Sequence, residues 1–271
     1  LAAVALGLRL LLILLFFSSD AFAFAIFSGD KKGSYYAVAQ GICNVFNRYY
    51  SQKCEVRESK GSENNLRLLA SDEADLAIVK NSQFNESFIK NSRELENKTD
   101  VVANIHDEYL TILVQKNLRV KLISDLENKI VNIGSSGSAS ALIVERYFSD
   151  FVINPKKIVK FGAAKSFEMM CDKKIDAWVY FIGLPNSGFD EVLKKCDVEL
   201  VSLTNEELEN FLKIAPFLEK KSGNIFSKTI LASRKNFDSE IINQVKNILK
   251  NHREELIKEN AIFKSFSHHP S

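Results

Sequence analysis

Short runs of β-branched and aromatic residues recur along the chain, and between them the apolar positions return every three to four residues. The short runs predict strands over residues 25–28, 54–59, 76–80, 110–115, 130–133, 158–161, 177–181, 198–202 and 230–233. The three-to-four spacing predicts helices over 36–49, 62–71, 138–150, 167–171 and 188–195. Over 239–260, Ile241, Ile242, Val245, Ile248, Leu249 and Leu256 form the apolar face of one amphipathic helix. Residues 124–129 read as a short helix and turn with Ser124 as its N-cap. Strand and helix alternating over most of a chain is the pattern of an α/β fold with mostly parallel sheets flanked by helices. Ligands of such sheets sit beyond the carboxyl ends of the strands.

Three strand-to-helix junctions are built from small residues. Residues 134–140 read Gly-Ser-Ser-Gly-Ser-Ala-Ser, Gly33 and Ser34 close a loop ahead of Tyr35 and Tyr36, and Gly61 and Ser62 precede Asn65. A small-residue loop entering a helix presents backbone N–H groups and hydroxyls that can hold an anion. Ser135, Gly137, Ser138 and Ser140 are therefore candidate donors. Gly33 and Ser34 allow a close backbone approach, with one of Tyr35 and Tyr36 as an aromatic wall and the other in the core. Gly61, Ser62 and Asn65 form the second loop, and an Asn side chain both donates and accepts. Lys80 ends a strand, where its ammonium could meet an anionic group. Each has a plainer reading: Ser62 and Ser138 as helix caps, Tyr36 as core, Lys80 as a solvated cation. Trp178 is expected in the core. Anion-cradling loops in separate regions suggest a ligand held between two lobes.

A chain of 271 residues is long enough for two such lobes. Its net charge is +2, and Lys and Arg are interspersed with Asp and Glu, so a nucleic-acid-binding face is set aside. Residues 10–17 read LLLILLFF, with Arg9 before them and Ala23-Phe24-Ala25 after. That is the form of a secretory signal peptide, with cleavage expected after Ala25, and its apolar core is short for a membrane span. In an oxidising compartment the four cysteines can pair. Cys43 in the first helix and Cys54 in the next strand are local to one another, and Cys171 and Cys196 each end a helix ahead of a strand. Of three possible connectivities, this predicts Cys43–Cys54 and Cys171–Cys196. Metal-ligand spacing is missing, since no CxxC or flanking His is present. Neither is there a G-x-S-x-G elbow for a serine nucleophile. His106-Asp107-Glu108 is the one histidine with adjacent acids, on a strand where neighbours point apart. An enzyme is not expected, and no cofactor is implied.

Four motifs in order resemble the TAXI-type solute receptors of the tripartite ATP-independent periplasmic (TRAP) transporters. Residues 28–36 stand for that family's threonine-glycine loop ending in two tyrosines. Residues 60–79 match its GGSxENLRLLxxGEADLGIV segment, 134–140 its GxxGSGT loop, and Asp176-Ala177-Trp178 with Gly183-Leu184-Pro185-Asn186 its D-A-aromatic stretch and GxPN. The chain departs from the pattern at Asp30 and Lys32, where glycines are usual, at Ala37 in place of proline and at Asn64 in place of an acid. The resemblance implies a two-lobed periplasmic-binding-protein fold of type II-like form, with Pro185 and Asn186 near the ligand. It implies a monomeric periplasmic receptor that closes on a small carboxylate-bearing metabolite, an amino acid such as glutamate or an organic acid, and delivers it to TRAP-type permease subunits. The lobes are expected at 26–115 with 226–271, and at 116–225, after a signal peptide of 1–25. Two other readings remain open at this level: a transferase-like enzyme on the same fold, and an exported protein that has lost its ligand.

Overall fold

The computed structural model describes residues 23–81 and 92–266. The expected leader core at 10–17 and His268 and His269 lie outside the described residues. Alternating elements build the first part of the chain as β1 (Ala23–Phe27), α1 (Ser34–Tyr49), β2 (Lys53–Arg57), α2 (Ser62–Ala70), β3 (Leu76–Lys80) and α3 (Ser92–Asn97). The long β4 (Thr99–Gln115) follows, and then β5 (Ile130–Asn132), α4 (Ala139–Asp150), β6 (Lys157–Val159), α5 (Ala163–Cys171), β7 (Ala177–Gly183), α6 (Ser187–Lys195), β8 (Val198–Val201) and α7 (Asn205–Ile214). The chain ends through β9 (Glu219–Lys221), β10 (Asn224–Arg234), α8 (Ser239–Asn251) and α9 (Arg253–Glu259).

The strands form one sheet in the order β2-β1-β3-β10-β4-β7-β5-β6, with β8 on β4 and β9 on β10. The expected parallel pairing holds at both flanks, in β1 with β2 and β3, and in β5 with β6 and β7. β4 and β10 lie antiparallel between them. These two strands are the connection between two cores. Buried apolar residues up to Ile105 and from Ile230 onward pack with α1, α2, α8 and α9, whereas those from Leu110 to Ile225 pack with α4, α5, α6 and α7. Leu110, Ile112 and Val114, expected at the end of the first lobe, bury into the second core, because this half of β4 pairs with β7 and β8. The chain crosses between Ile105 and Leu110 and returns between Ile225 and Ile230, at a register shift opposite His106.

Three expectations change. The cut after Ala25 would fall inside β1 and remove Phe24, which is 1% exposed and packs edge-on against Phe46. The single C-terminal helix is two: it breaks at His252, whose Nδ1 lies 2.9 Å from the Glu255 carboxylate, and α9 turns onto α1, where Arg48 meets Glu255 and Glu259. Ser124 does not cap; the turn starts at Ile123, and the Asp125 carboxylate closes it by accepting the Lys121 and Leu122 N–H groups. Both expected disulfides are present, Cys43–Cys54 joining α1 to β2 and Cys171–Cys196 joining the ends of α5 and α6.

Candidate functional site

Helices α1, α2 and α4 begin around one pocket between the two cores. At α1 and α2 the N-cap positions are Gly33 and Gly61, which supply no side-chain cap; in α2 the Glu63 N–H is taken by the Gly137 carbonyl. Gly61 has φ of 100° and ψ of −164°, a conformation open essentially to glycine alone. A Cβ there would lie 3.5 Å from the Ser138 side chain, an ordinary contact, so the backbone conformation and not lack of space calls for the glycine. At α4, Ser138 Oγ accepts from the Ala141 N–H, which leaves its own hydroxyl proton to donate.

The loops border a partly open pocket of about 30 Å³, room for one or two waters. Ser34, Tyr35, Gly61, Ser62, Lys80, Ser135, Ser138 and Ser140 line it, as the sequence reading expects of a shared site, together with Gly33. Asp30, Glu108 and Tyr180, which that reading did not select, line it as well. Lys80 is 2% exposed and forms an ion pair with Glu108, itself 3% exposed. Glu108 also accepts from Ser34 Oγ at 2.8 Å, and its Oε1 lies 3.7 Å from His106 Nε2. The Lys80 ammonium stands 4.9 Å from the centre of the Phe181 ring. Ser62 Oγ accepts the Lys80 backbone N–H at 3.1 Å and shares a hydrogen bond of 2.9 Å with the Tyr35 hydroxyl.

Burial alone would raise the Glu108 carboxyl; the Lys80 charge and the neighbouring His106 outweigh it and hold the group at about 2. Burial draws the Lys80 ammonium below its ordinary value, and Glu108 restores part of the loss. Tyr35 is pushed well up by burial and then by the Glu108 charge, and Tyr180 is pushed up by burial, Glu108 and Asp30. Both phenols are therefore neutral donors at physiological pH. The Lys80 charge is already balanced by Glu108, so the walls offer many hydrogen-bond donors with no surplus buried cation.

The remaining candidates fall elsewhere. Asn65 is fully buried, and its Nδ2 donates to the Ser28 and Ile78 carbonyls at 2.6 and 2.8 Å, pinning the ends of β1 and β3. Tyr36 is half-buried and away from the small cavity, leaving Tyr35 as the tyrosine that faces it. Gly137 has φ of 79°, and its carbonyl accepts the Glu63 N–H across the lobes at 3.2 Å. Pro185 and Asn186 line a wider cleft of about 530 Å³ on the far side of Gly33 and Ser34, beside the Cys171–Cys196 bridge, and Asn186 caps α6 through the Phe189 N–H. Trp178 is 1% exposed in the second core. Glu108 did carry a signal: on a strand, residues two apart share a face, so it belongs with His106 and not with Asp107. No group of three or more His, Cys, Asp or Glu is placed to hold a metal among the described residues, and no described helix is long and apolar enough to cross a membrane.

The sequence profile of the NMT1-like family matches residues 26–222. No curated protein matches the chain. Among solved structures, one described as a periplasmic transporter aligns with a TM-score of 0.65 at 13% identity, over 94% of this chain and 90% of that one. The binding protein component of an ABC phosphonate transporter from Pseudomonas aeruginosa aligns at 0.61 with 11% identity, over 92% and 80%. The substrate binding protein of an amino acid ABC transporter aligns at 0.55 with 13% identity, over 88% and 98%. At such identities the likeness is one of fold: two lobes of the periplasmic-binding-protein kind.

Proposed function

Taking as premise that the chain belongs to the NMT1-like family, we propose that it is an extracytoplasmic solute receptor whose lobes close on a small carboxylate-bearing metabolite. The observation that carries this reading is the convergence of three helix N-termini, from both lobes, on the pocket at the buried Lys80 and Glu108. Helix N-termini and serine hydroxyls suit a carboxylate, and here the α1 terminus and the Ser138 hydroxyl proton are the donors left for it. The internal Lys80–Glu108 pair favours a zwitterion over a bare organic acid: the solute carboxylate lies toward Lys80 and the α4 N-terminus, and its ammonium toward Glu108. A small α-amino acid fits this pattern of charge, but it needs more room than the one or two waters the pocket admits as it stands, so the lobes must part to take it in and close less fully around it. The lobes of this reading are 23–105 with 230–266, and 110–225, turning about the crossing strands. A single chain acts as the receptor in the periplasm and delivers the solute to TRAP-type permease subunits, in keeping with the ordered motifs at 28–36, 60–79, 134–140 and 183–186.

A solute that binds only the folded protein raises its melting temperature. A thermal-shift panel of amino acids, matched 2-oxo acids and dicarboxylates tests the reading on protein refolded from denaturant to strip any retained solute. Saturation at roughly 100 times Kd corresponds to about 2.7 kcal/mol, a rise of several degrees for a chain of this size. An amino acid should give that rise; a flat response across the whole panel would refute the receptor reading.

A further inference from the structure

Asp30 lies in the loop between β1 and α1, in the first lobe, yet its carboxylate is bonded in the second. Its Oδ1 accepts the Ala164 N–H at 3.1 Å, in the first turn of α5. The N-cap of α5 is Gly162, which makes no side-chain cap of its own, and a Cβ at Gly162 would lie 2.4 Å from Asp30 Oδ2. The helix therefore takes its cap from the opposite lobe, and the glycine is the space into which that cap fits. The Asp30 carboxylate is itself fixed by the Lys32 N–H at 3.0 Å, while its carbonyl accepts the Gly33 N–H at 2.8 Å. A reciprocal bond runs the other way: the Gly137 carbonyl, from the second lobe, accepts the Glu63 N–H in the first turn of α2. Each lobe thus satisfies an otherwise uncapped helix terminus of its partner.

We infer that Asp30 is a closure latch: by capping α5 in trans, with Gly137 capping α2 in return, it holds the two lobes together whether or not a solute is bound. Opening the cleft strips both helices of these partners and leaves water in their place, so the closed form retains stability of its own. Neither bond involves a solute. The inference goes beyond the receptor reading and does not depend on it, because every measurement below is made without ligand.

Small-angle scattering from full-length protein, refolded from denaturant to remove bound solute, reads the lobe separation directly. Wild type should scatter as the closed form. Asp30→Ala should shift the radius of gyration upward, toward an open form, while its near-unchanged circular dichroism shows that the chain has folded. Asp30→Asn keeps an accepting oxygen, and Asn caps about as well as Asp, so that variant should remain closed. Gly162→Ala, which places a methyl against the Asp30 carboxylate, should open the cleft without touching Asp30. A wild type that is open without ligand, an Asp30→Ala protein that stays closed, or an Asp30→Asn protein that opens as fully as the alanine variant would each overturn the latch.

Discussion

Replacing Glu108 with Gln leaves the Lys80 ammonium in a site where it is 2% exposed, without its counter-charge. Breaking a buried pair in this way costs about 3–5 kcal/mol, whereas replacing both members with apolar residues of similar volume is often close to neutral. Urea unfolding should therefore show a large loss for Glu108→Gln and a much smaller one when Lys80→Met is added; equal losses would mean that the pair carries no such coupling. The same pair sets an acid limit. Glu108 is held at about 2 in the folded protein against an ordinary 4.5, so the unfolded chain binds more protons between these values. Its stabilising contribution is complete above pH 4.5 and is lost as pH falls toward 2, which denaturation midpoints across that window will show. At this scale the strand-end position of Lys80 was legible, and its plainer reading as a solvated cation was not met, since it is buried against Glu108. The bonding of Asn65 was not legible: its amide donors serve chain carbonyls at the ends of β1 and β3. Asp30 was legible only as a departure from the family's glycines, and its role depends on a helix more than a hundred residues away.

At the level of elements, period and junction chemistry placed most of the strands and helices, and the failures have local causes. Polar residues Asp100, Asn104, Asp107 and Glu108 interrupt the apolar pattern of β4, so only its second half reads as a strand from sequence, although all 17 residues belong to it. The C-terminal apolar stripe runs past His252 without a glycine or proline to mark the break between α8 and α9. The helix α7 went unread although Thr204 and Glu207 form a capping box ahead of it. Removing that box with Thr204→Ala should cost about 1 kcal/mol, measured as a shift in the urea midpoint. The two disulfides, predicted from their positions on neighbouring elements, close separations of 11 and 25 residues. Bridges of this span contribute about 3 kcal/mol each by the chain-entropy account. Loss of either through Cys43→Ala with Cys54→Ala, or Cys171→Ala with Cys196→Ala, should lower the melting temperature by several degrees, and an unchanged melting curve would show that the bridges do not form in solution.

Over the whole molecule, alternating β and α elements disclosed the α/β class, and small-residue loops in distant parts of the chain come together around one pocket. The change from the first buried core to the second, expected after Gln115, falls inside the continuous strand β4, where neither glycine nor charge run marks it. That placement matters to the account, for it sets His106 and Glu108 on the crossing strand itself, beside Lys80 from the first lobe and Phe181 from the second. On the proposed receptor reading, a solute that engages Glu108 would be joined to the segment about which the lobes turn. The most direct test is isothermal titration of solute-stripped protein with the amino acid that raises its melting temperature most, run beside the matched 2-oxo acid, which keeps the carboxylate and side chain and lacks the ammonium. The account predicts one site per chain for the amino acid and at least a tenfold weaker affinity for the oxo acid, a difference of about 1.4 kcal/mol. Equal affinity for the two acids, or binding that survives Ser62→Ala and Ser138→Ala together without change, would contradict it.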